Sequence, residues 1–366
     1  MSDGSISTME YNWKDTNMAL FGSDLERSVK KEAAETEKAW HPIKSIEKST
    51  LLVWRINKFN LEVVKPEDIG TFYSGDSYIV LKIEKVGEEY NYDVHFWIGK
   101  KSTQDEYVTA AYKTVELDTF LDDKAIQHRE VDGMESKQFK SYFKKFRTLE
   151  GGYESGFNRV RPNQVKPRLY HLRDIDCSRT EIREVPCSRQ SLNSDDVFIL
   201  EVGSTAYQWN GSKSGKYERF RAGHFLIQLK GERNGRLATE VLDEGENSPE
   251  MKQFLASLPD TEIPQSPENG NGKKAIYRFS DNSGKMELSL VCEEELPQSA
   301  ITEDDVYFID TGSYLYVYIG DQCSNQEKKY ALSHAHDYLK ETNHPFAPIS
   351  VVSGNRKTTL LNNVLE

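Results

Sequence analysis

The sequence predicts an α+β protein of three repeated domains, each an opening strand and a hairpin followed by a long helix. Two observations carry this expectation. The first is an acidic constellation written three times: an Asp before an aromatic or β-branched run, an aromatic-x-Gly, and a Glu seven residues after that Gly. The copies are Asp76 with Trp97-Ile98-Gly99 and Glu106, Asp196 with Trp209-Asn210-Gly211 and Glu218, and Asp305 with Tyr318-Ile319-Gly320 and Glu327. The second is length. The 366 residues place Asp76, Asp196 and Asp305 at intervals of 120 and 109, long enough for a core in each unit and too long for a stacked solenoid. Globular beads joined by linkers are expected.

Residues 1–45 come first. Ser23-Asp24-Leu25-Glu26 reads as a capped helix start, continued by helix formers to Trp40 and stopped at Pro42, and the segment is expected to lie on the body. Domain 1, residues 46–150, opens with a strand at Leu51–Ile56, carries a longer hairpin around Glu84 to Asp93, and continues in a helix over Thr103–Leu121. Val108, Ala111, Tyr112, Val115 and Thr119 give that helix its period. Phe139, Tyr142, Phe143 and Phe146 follow at helical spacing, flanked by lysines, and packing into the core is the favoured reading of that stripe over an interfacial helix. A glycine-rich linker, 151–167, leads to domain 2, residues 168–262, with a strand at Arg168–Leu172 and a helix at Tyr217–Leu229. A second linker, 263–274, precedes domain 3, residues 275–366, with Ala275–Phe279 as strand and Gln326–Lys340 as helix.

The net charge of −12 argues against a general nucleic-acid binder, which needs a basic field, and suits cations or a basic partner. No stretch reaches the roughly 18 apolar residues of a membrane helix, and residues 1–10 lack a signal pattern, so a soluble, cytoplasmic protein is expected. Cys177, Cys187, Cys292 and Cys323 have no C-x-x-C spacing; Cys177 and Cys187 are either paired or free, and free thiols suit a reducing compartment better. Catalysis finds no support. Gly270-Asn271-Gly272-Lys273-Lys274 lacks the first Gly and the Ser/Thr of a phosphate loop, His334 and His336 fall on different helix faces, and no G-x-S-x-G elbow is present.

The repeated carboxylates point to a hard cation. Calcium takes six to eight oxygens from carboxylates, carbonyls and water, and an Asp, the carbonyl before it and a bidentate Glu supply four of them. One copy alone is better read as an Asp capping a turn and a Glu at the positive end of a helix. Three copies at one spacing favour metal, at sites built from residues distant in sequence, since no EF-hand loop appears.

Asp105-Glu106, Thr114-Val115-Glu116-Leu117-Asp118 and Gln127-His128-Arg129-Glu130 resemble the first domain of the gelsolin family of actin-severing and capping proteins. The likeness recurs in Ser191 to Leu200, Tyr207 to Ser214 and Glu294 to Asp310, covers residues 46–366, and is strongest for the three-domain severin and fragmin type. It implies a mixed β-sheet between a long and a short helix in each domain, calcium as cofactor, and calcium-activated filament severing, barbed-end capping and monomer binding or nucleation, without enzymatic activity. The implied ligands are the Gly75 carbonyl, Asp76, Glu106 and the Tyr153 carbonyl in domain 1. Domain 2 supplies Asp195 by its carbonyl, Asp196 and Glu218, and domain 3 supplies Asp304 by its carbonyl, Asp305 and Glu327. Asp118 with the carbonyls of Asp123 and Ala125 matches a second type of site, shared with actin, although the family usually has Gly at the Asp123 position. Secreted relatives carry a domain-2 disulfide where Val197 and Asn210 stand here.

The resemblance also implies actin contacts at Thr109, Tyr112, Thr114, Val115 and Asp118, while Arg219, Arg221 and Lys230 form a helix face that either meets acidic actin surface or is only solvated. Phosphoinositide lipids are expected to inhibit through Lys140, Lys144, Lys145, Arg147, Arg159, Arg161, Lys166 and Arg168. Two other readings stay open: calcium-dependent capping or sequestering without severing, and a calcium-regulated scaffold that does not act on actin.

Overall fold

The computed structural model describes residues 34–57, 59–152, 166–176, 178–262, 272–353, 361, 364 and 365. Domain 1 runs β1 (Thr50–Asn57), β2 (Asn60–Val63), β3 (Thr71–Tyr73), β4 (Ser77–Val86), β5 (Glu89–Ile98), α1 (Gln104–Phe120), β6 (Ala125–Val131), α2 (Lys137–Ser141) and β7 (Lys145–Leu149). Domain 2 follows with β8 (Arg168–Asp176), β9 (Arg179–Val185), β10 (Val197–Val202), β11 (Thr205–Asn210), α3 (Lys216–Glu232), β12 (Ala238–Asp243) and α4 (Pro249–Ala256). Domain 3 consists of β13 (Ala275–Ser280), β14 (Glu287–Glu293), β15 (Val306–Asp310), β16 (Leu315–Ile319), α5 (Asn325–Lys340) and β17 (Ile349–Ser353).

The same unit is built each time. An opening strand pairs antiparallel with the strand that follows the acidic Asp, that strand turns back through a hairpin, and a long helix crosses to a parallel partner: β5 to β6, β11 to β12, β16 to β17. The crossover needs a helix because parallel neighbours cannot be joined by a tight turn. Thr103 and Ser324 cap α1 and α5, and Glu106, Glu218 and Glu327 each return a carboxylate to the N-cap backbone N–H. In domain 1, α1 covers one face of the sheet with Ala110, Leu117 and Leu121 against Ile56, Ile79, Leu81 and Val94. The other face carries Phe72, Tyr78, Trp97, Phe139, Phe143 and Phe146. The aromatic stripe is therefore core, but α2 is short and Phe146 arrives from β7, not from a continued helix.

Residues 34–45, the described part of the N-terminal segment, lie on domain 1. Trp40 is buried edge-to-face on Trp54 with centroids 5.0 Å apart, and its Nε1 donates to Glu116 Oε1 at 3.0 Å. Residues 34–36 are helical and His41–Ser45 form a 3-10 turn; the expected helix start at Ser23 lies outside the described residues.

Separate beads are not what the chain forms. Domain 1 shares a sheet with each of the others. One ten-stranded sheet runs β14-β13-β15-β16-β17-β6-β5-β4-β1-β2, joined where β17 pairs antiparallel with β6 through Ile349 opposite Arg129, Ser350 opposite His128 and Val351 opposite Gln127. The other runs β12-β11-β10-β8-β9-β7-β3, so β7 and β3 of domain 1 complete the sheet of domain 2. An open β6 edge and an open β9 edge would each present unpaired N–H and C=O groups, and the shared sheets satisfy both.

Candidate metal centres and partner surfaces

The three acidic loops superpose in their hydrogen bonds. The Gly99, Gly211 and Gly320 N–H groups donate to the carbonyls of Asp76, Asp196 and Asp305 at 3.1, 3.0 and 3.1 Å. The residues two further on, Lys101, Lys213 and Gln322, donate to Ser74, Ser194 and Glu303 at 2.7, 2.8 and 2.8 Å. A Cβ on any of these glycines would collide with those carbonyls, which is why the aromatic-x-Gly repeats. Gly75, Asp195 and Asp304 lie in sequence between the two residues whose carbonyls are bonded in this way.

Each Glu is fixed before any ion arrives. Glu218 Oε1 accepts from Asp174 N at 3.0 Å and Glu327 Oε1 from Asp281 N at 2.9 Å, tying helix start to opening strand. Each Asp meets a donor from that strand: Asp76 Oδ2 lies 3.9 Å from Arg55 Nη1, Asp196 Oδ2 accepts from His171 Nε2 at 2.7 Å, and Asp305 Oδ2 accepts from Arg278 Nε at 2.6 Å. The bond to Asp305 holds the Arg278 proton more tightly than usual. Asp305 is 1% exposed, yet among the described residues its Oδ1 has no donor. A buried carboxylate oxygen without a donor is the kind of group a hard cation satisfies. In domain 1 the backbone closes over the site: a Cβ on Gly152 would stand 2.7 Å from Asp76 Oδ1. Tyr153 lies outside the described residues.

Asp118 is engaged within the chain. Its Oδ1 accepts from Ala125 N at 2.8 Å and its Oδ2 from Gln127 Nε2 at 2.7 Å, at the strand end that domain 3 pairs with. Asp123 sits at φ 57°, the left-handed region, which explains a glycine at this position and why Asp is tolerated.

Several expected surface residues are structural here. Thr114 and Thr109 are buried, with Thr114 Oγ1 donating to Ala110 O at 2.9 Å, so in this arrangement they cannot meet a partner; Tyr112 is exposed and Val115 half-buried. Arg219 donates to Ser214 Oγ at 2.9 Å and Gly211 O at 3.0 Å, and Arg221 pairs with Asp174 at 2.6 Å, both bracing the domain-2 loops, while Lys230 is exposed. Lys140 is 8% exposed and its Nζ lies 3.3 Å from Glu135 Oε2 and 3.1 Å from Glu181 Oε1, so it is a buried interdomain cation and not part of a lipid-facing cluster. Arg168 forks onto Glu184 at 3.0 and 2.6 Å, Arg147 lies 3.7 Å from Glu232, and Lys145 donates to Gln228 Oε1 at 3.2 Å. Lys144 and Lys166 are exposed; Arg159 and Arg161 lie outside the described residues.

The sequence reading missed three features. One is the charge cluster at the joint of domains 1 and 2, where Arg183 bonds Asp132 and Glu135 and meets Glu181 at 3.0 Å. Burial works to raise the Glu181 pKa, but Lys140, Arg183 and Arg173 outweigh it and hold the carboxyl at about 2. Another is the stacked pair His95 and His128, 4.1 Å between centroids, linked to Glu130 and Asp93 at 2.9 Å each. Burial pushes Glu130 up to about 7. Ligand atoms of Asp93, His95 and His128 lie within 4.8 Å of one another, but stacked imidazoles direct their lone pairs side by side, so this is a buried polar network that His128 extends to Ser350 of domain 3 at 2.6 Å. The third is an apolar face on α3. Tyr217, Phe220 and Ile227 are 59%, 65% and 68% exposed, with His224 against the Phe220 ring. Their spacing of three, four and three residues was the available signal.

A family model described as the gelsolin repeat matches residues 58–140, 179–252 and 289–361. Severin from Echinococcus granulosus is 47% identical, covering 99% of both chains. Gelsolin-like protein 2 from Lumbricus terrestris is 45% identical over 94% of both. Gelsolin from Gallus gallus is 39% identical over 81% of this chain and 39% of its own.

Proposed function

This chain belongs to the gelsolin family, and from that premise we propose that it severs and caps actin filaments in response to calcium, without catalysing a reaction. The observation that carries the reading is the full-length likeness to severin across all three repeats, with the Asp and Glu of each repeat in place. Asp76 with Glu106, Asp196 with Glu218 and Asp305 with Glu327 would hold one calcium each, beside the carbonyls of Gly75, Asp195 and Asp304. Bound calcium supplies a concentrated positive charge that draws those oxygens together. A further calcium at Asp118, shared with actin, requires its carboxylate to leave Ala125 N and Gln127.

The residues suggest how such a protein works. The apolar face of α3 is the surface of domain 2 suited to a filament side, better placed than the braced Arg219 and Arg221. Tethering by domain 2 makes the search for the cleft between actin subunits intramolecular, with an effective concentration up to about the millimolar range. Domain 1 then presents α1, with Tyr112 exposed, as a wedge. Filament contacts are noncovalent, so an apolar helix face that occupies the cleft replaces them without hydrolysis and leaves a cap behind. Domain 3 holds β6 and thereby the strand end that engages Asp118, which suits a restraint on domain 1. Phosphoinositide inhibition is retained for the exposed Lys144 and Lys166, with Arg159 and Arg161, as the lipid-facing set.

Time-lapse imaging of labelled filaments tests this reading. Filaments should fragment with calcium and stay intact in chelator. Unchanged filament length in calcium, at concentrations where the protein co-sediments with actin, would sink the severing assignment.

A further inference from the structure

The donor that meets the ligand aspartate comes from one place in the fold in all three domains. Arg55 stands opposite Tyr78, His171 opposite Phe198 and Arg278 opposite Tyr307, and each aromatic follows its aspartate by two residues. Diagonal neighbours two residues off on the facing strand are within reach of a long side chain, so the register itself aims this position at the carboxylate. We propose that Arg278, and to a smaller degree Arg55, is a counter-ion that holds the ligand aspartate in the calcium-free protein and thereby lowers the calcium affinity of its own domain. The inference rests on the calcium reading above and deepens it.

Two demands meet at this position. An aspartate as buried as Asp305 is costly to keep ionised without a cation, and Arg278 meets that need at 2.6 Å. A divalent ion on the same carboxylate must then either displace the guanidinium or lie against it. The Arg278 side chain is 41% exposed, so solvent screens part of the repulsion, but its Nε is bonded to a carboxylate side chain that is only 2% exposed. The contact uses one carboxylate oxygen: Nε is bonded to Oδ2, and Oδ1 stays without a donor. Asp305 is thus neutralised by the arginine but not hydrogen-bonded to capacity, which leaves an oxygen for metal. Domain 1 carries a looser version. Arg55 Nη1 lies 3.9 Å from Asp76 while its Nη2 donates to Glu62 at 2.7 Å, so its charge is shared. The opposition to calcium should therefore be stronger in domain 3 than in domain 1.

Calcium titration calorimetry on the full chain tests this, with Arg278→Gln, Arg278→Lys, Arg55→Gln and the double variant Arg278→Gln/Asp305→Asn. Arg278→Gln should tighten one equivalent by about tenfold, Arg278→Lys, which keeps the charge, should retain the parental affinity, and the tightening should vanish in the double variant. Arg55→Gln should tighten a different equivalent by less, and it remains informative if Arg278→Gln folds poorly. In chelator Arg278→Gln should melt below the parent, and calcium should raise its melting temperature by more than it raises the parent's. Parental or weaker affinity in both glutamine variants overturns the counter-ion role, while a parent that binds no calcium overturns the underlying calcium reading itself.

Discussion

Replacing Arg129 with Ala should unfasten domain 3 from domain 1. The buried guanidinium, on β6, donates to Pro345 O at 3.1 Å and Ala347 O at 3.2 Å and also bonds His336 Nδ1, all in domain 3. A hydrogen bond from a charged group contributes about 1.5–3 kcal/mol net, so the two carbonyl bonds together contribute roughly 3–6 kcal/mol. Desolvating the arginine offsets part of this, and the lower end, about 3 kcal/mol, is the sound expectation. That corresponds to roughly a hundredfold shift of the docking equilibrium. The neighbouring bond from His128 to Ser350 at 2.6 Å gives an internal scale. Ser350→Ala removes one side-chain bond across the seam, about 1 kcal/mol and roughly fivefold. Native-state hydrogen exchange in chelator reads the effect directly at the seam, because the β17 and β6 amides facing β16 and β5 stay paired within their domains, while those that face each other are protected only when the domains are docked. Arg129→Ala should speed their exchange by about two orders of magnitude, Ser350→Ala by well under one, with α3 amides unaffected in both. Exchange of the β17 amides within a factor of about three of the parent, in an Arg129→Ala protein of native circular dichroism, would refute the assignment of docking strength to this arginine.

Acid should loosen the same joint. Burial, then Arg129 and Lys340, lower the His336 pKa to about 4 from an ordinary 6.5, with Asp337 opposing. The docked form thus holds fewer protons than the undocked form, so this contribution is complete above about pH 6.5 and lost as pH falls toward 4; β17 exchange across that range should accelerate. Glu327→Gln should remove about one equivalent of bound calcium in calorimetry while retaining an oxygen for the Ser324 cap, and unchanged stoichiometry would exclude the domain-3 site. Phe220→Asp with Ile227→Asp should abolish calcium-dependent co-sedimentation with filaments at unchanged melting temperature, because both side chains are already in water; parental co-sedimentation would place side binding elsewhere. A fragment ending near Gly156 should bind actin monomers and sever poorly, and extension to Pro259 should restore severing and also return β9 to β7; equal severing rates in filament imaging would deny domain 2 its side-binding role.

The repeat was legible because it is enforced by atoms close in space within each unit. Gly99, Gly211 and Gly320 have no room for a Cβ, and the Glu seven residues later must start a helix, so the spacing survives three times. The helix read from Val108, Ala111, Tyr112, Val115 and Thr119 is observed as Gln104–Phe120, and the opening strands are observed within a few residues of their expected ends. Val197 and Asn210, inferred to occupy disulfide positions, are direct register partners on β10 and β11. Interdomain contacts left no such trace. Lys140 looks like a solvent-facing cation until folding brings Glu181 of domain 2 to it, and nothing local distinguishes a lysine awaiting lipid from one awaiting a buried carboxylate. The sharing of sheets was hidden for the same reason. The polar run Gln127-His128-Arg129-Glu130 of β6 reads as an exposed edge, yet His128, Arg129 and Glu130 are buried beside a neighbour from another domain.

The seam between β17 and β6 has a consequence for crowding. Any opening there bares two raw backbone edges in one molecule, each able to pair with a strand from elsewhere. Reclosure is first order, while pairing with the edge of another opened molecule is second order, so which one wins is set by how much protein is open at once. Dilute, the seam heals. Concentrated and held open, the same two edges make each molecule a link that can be extended at both ends.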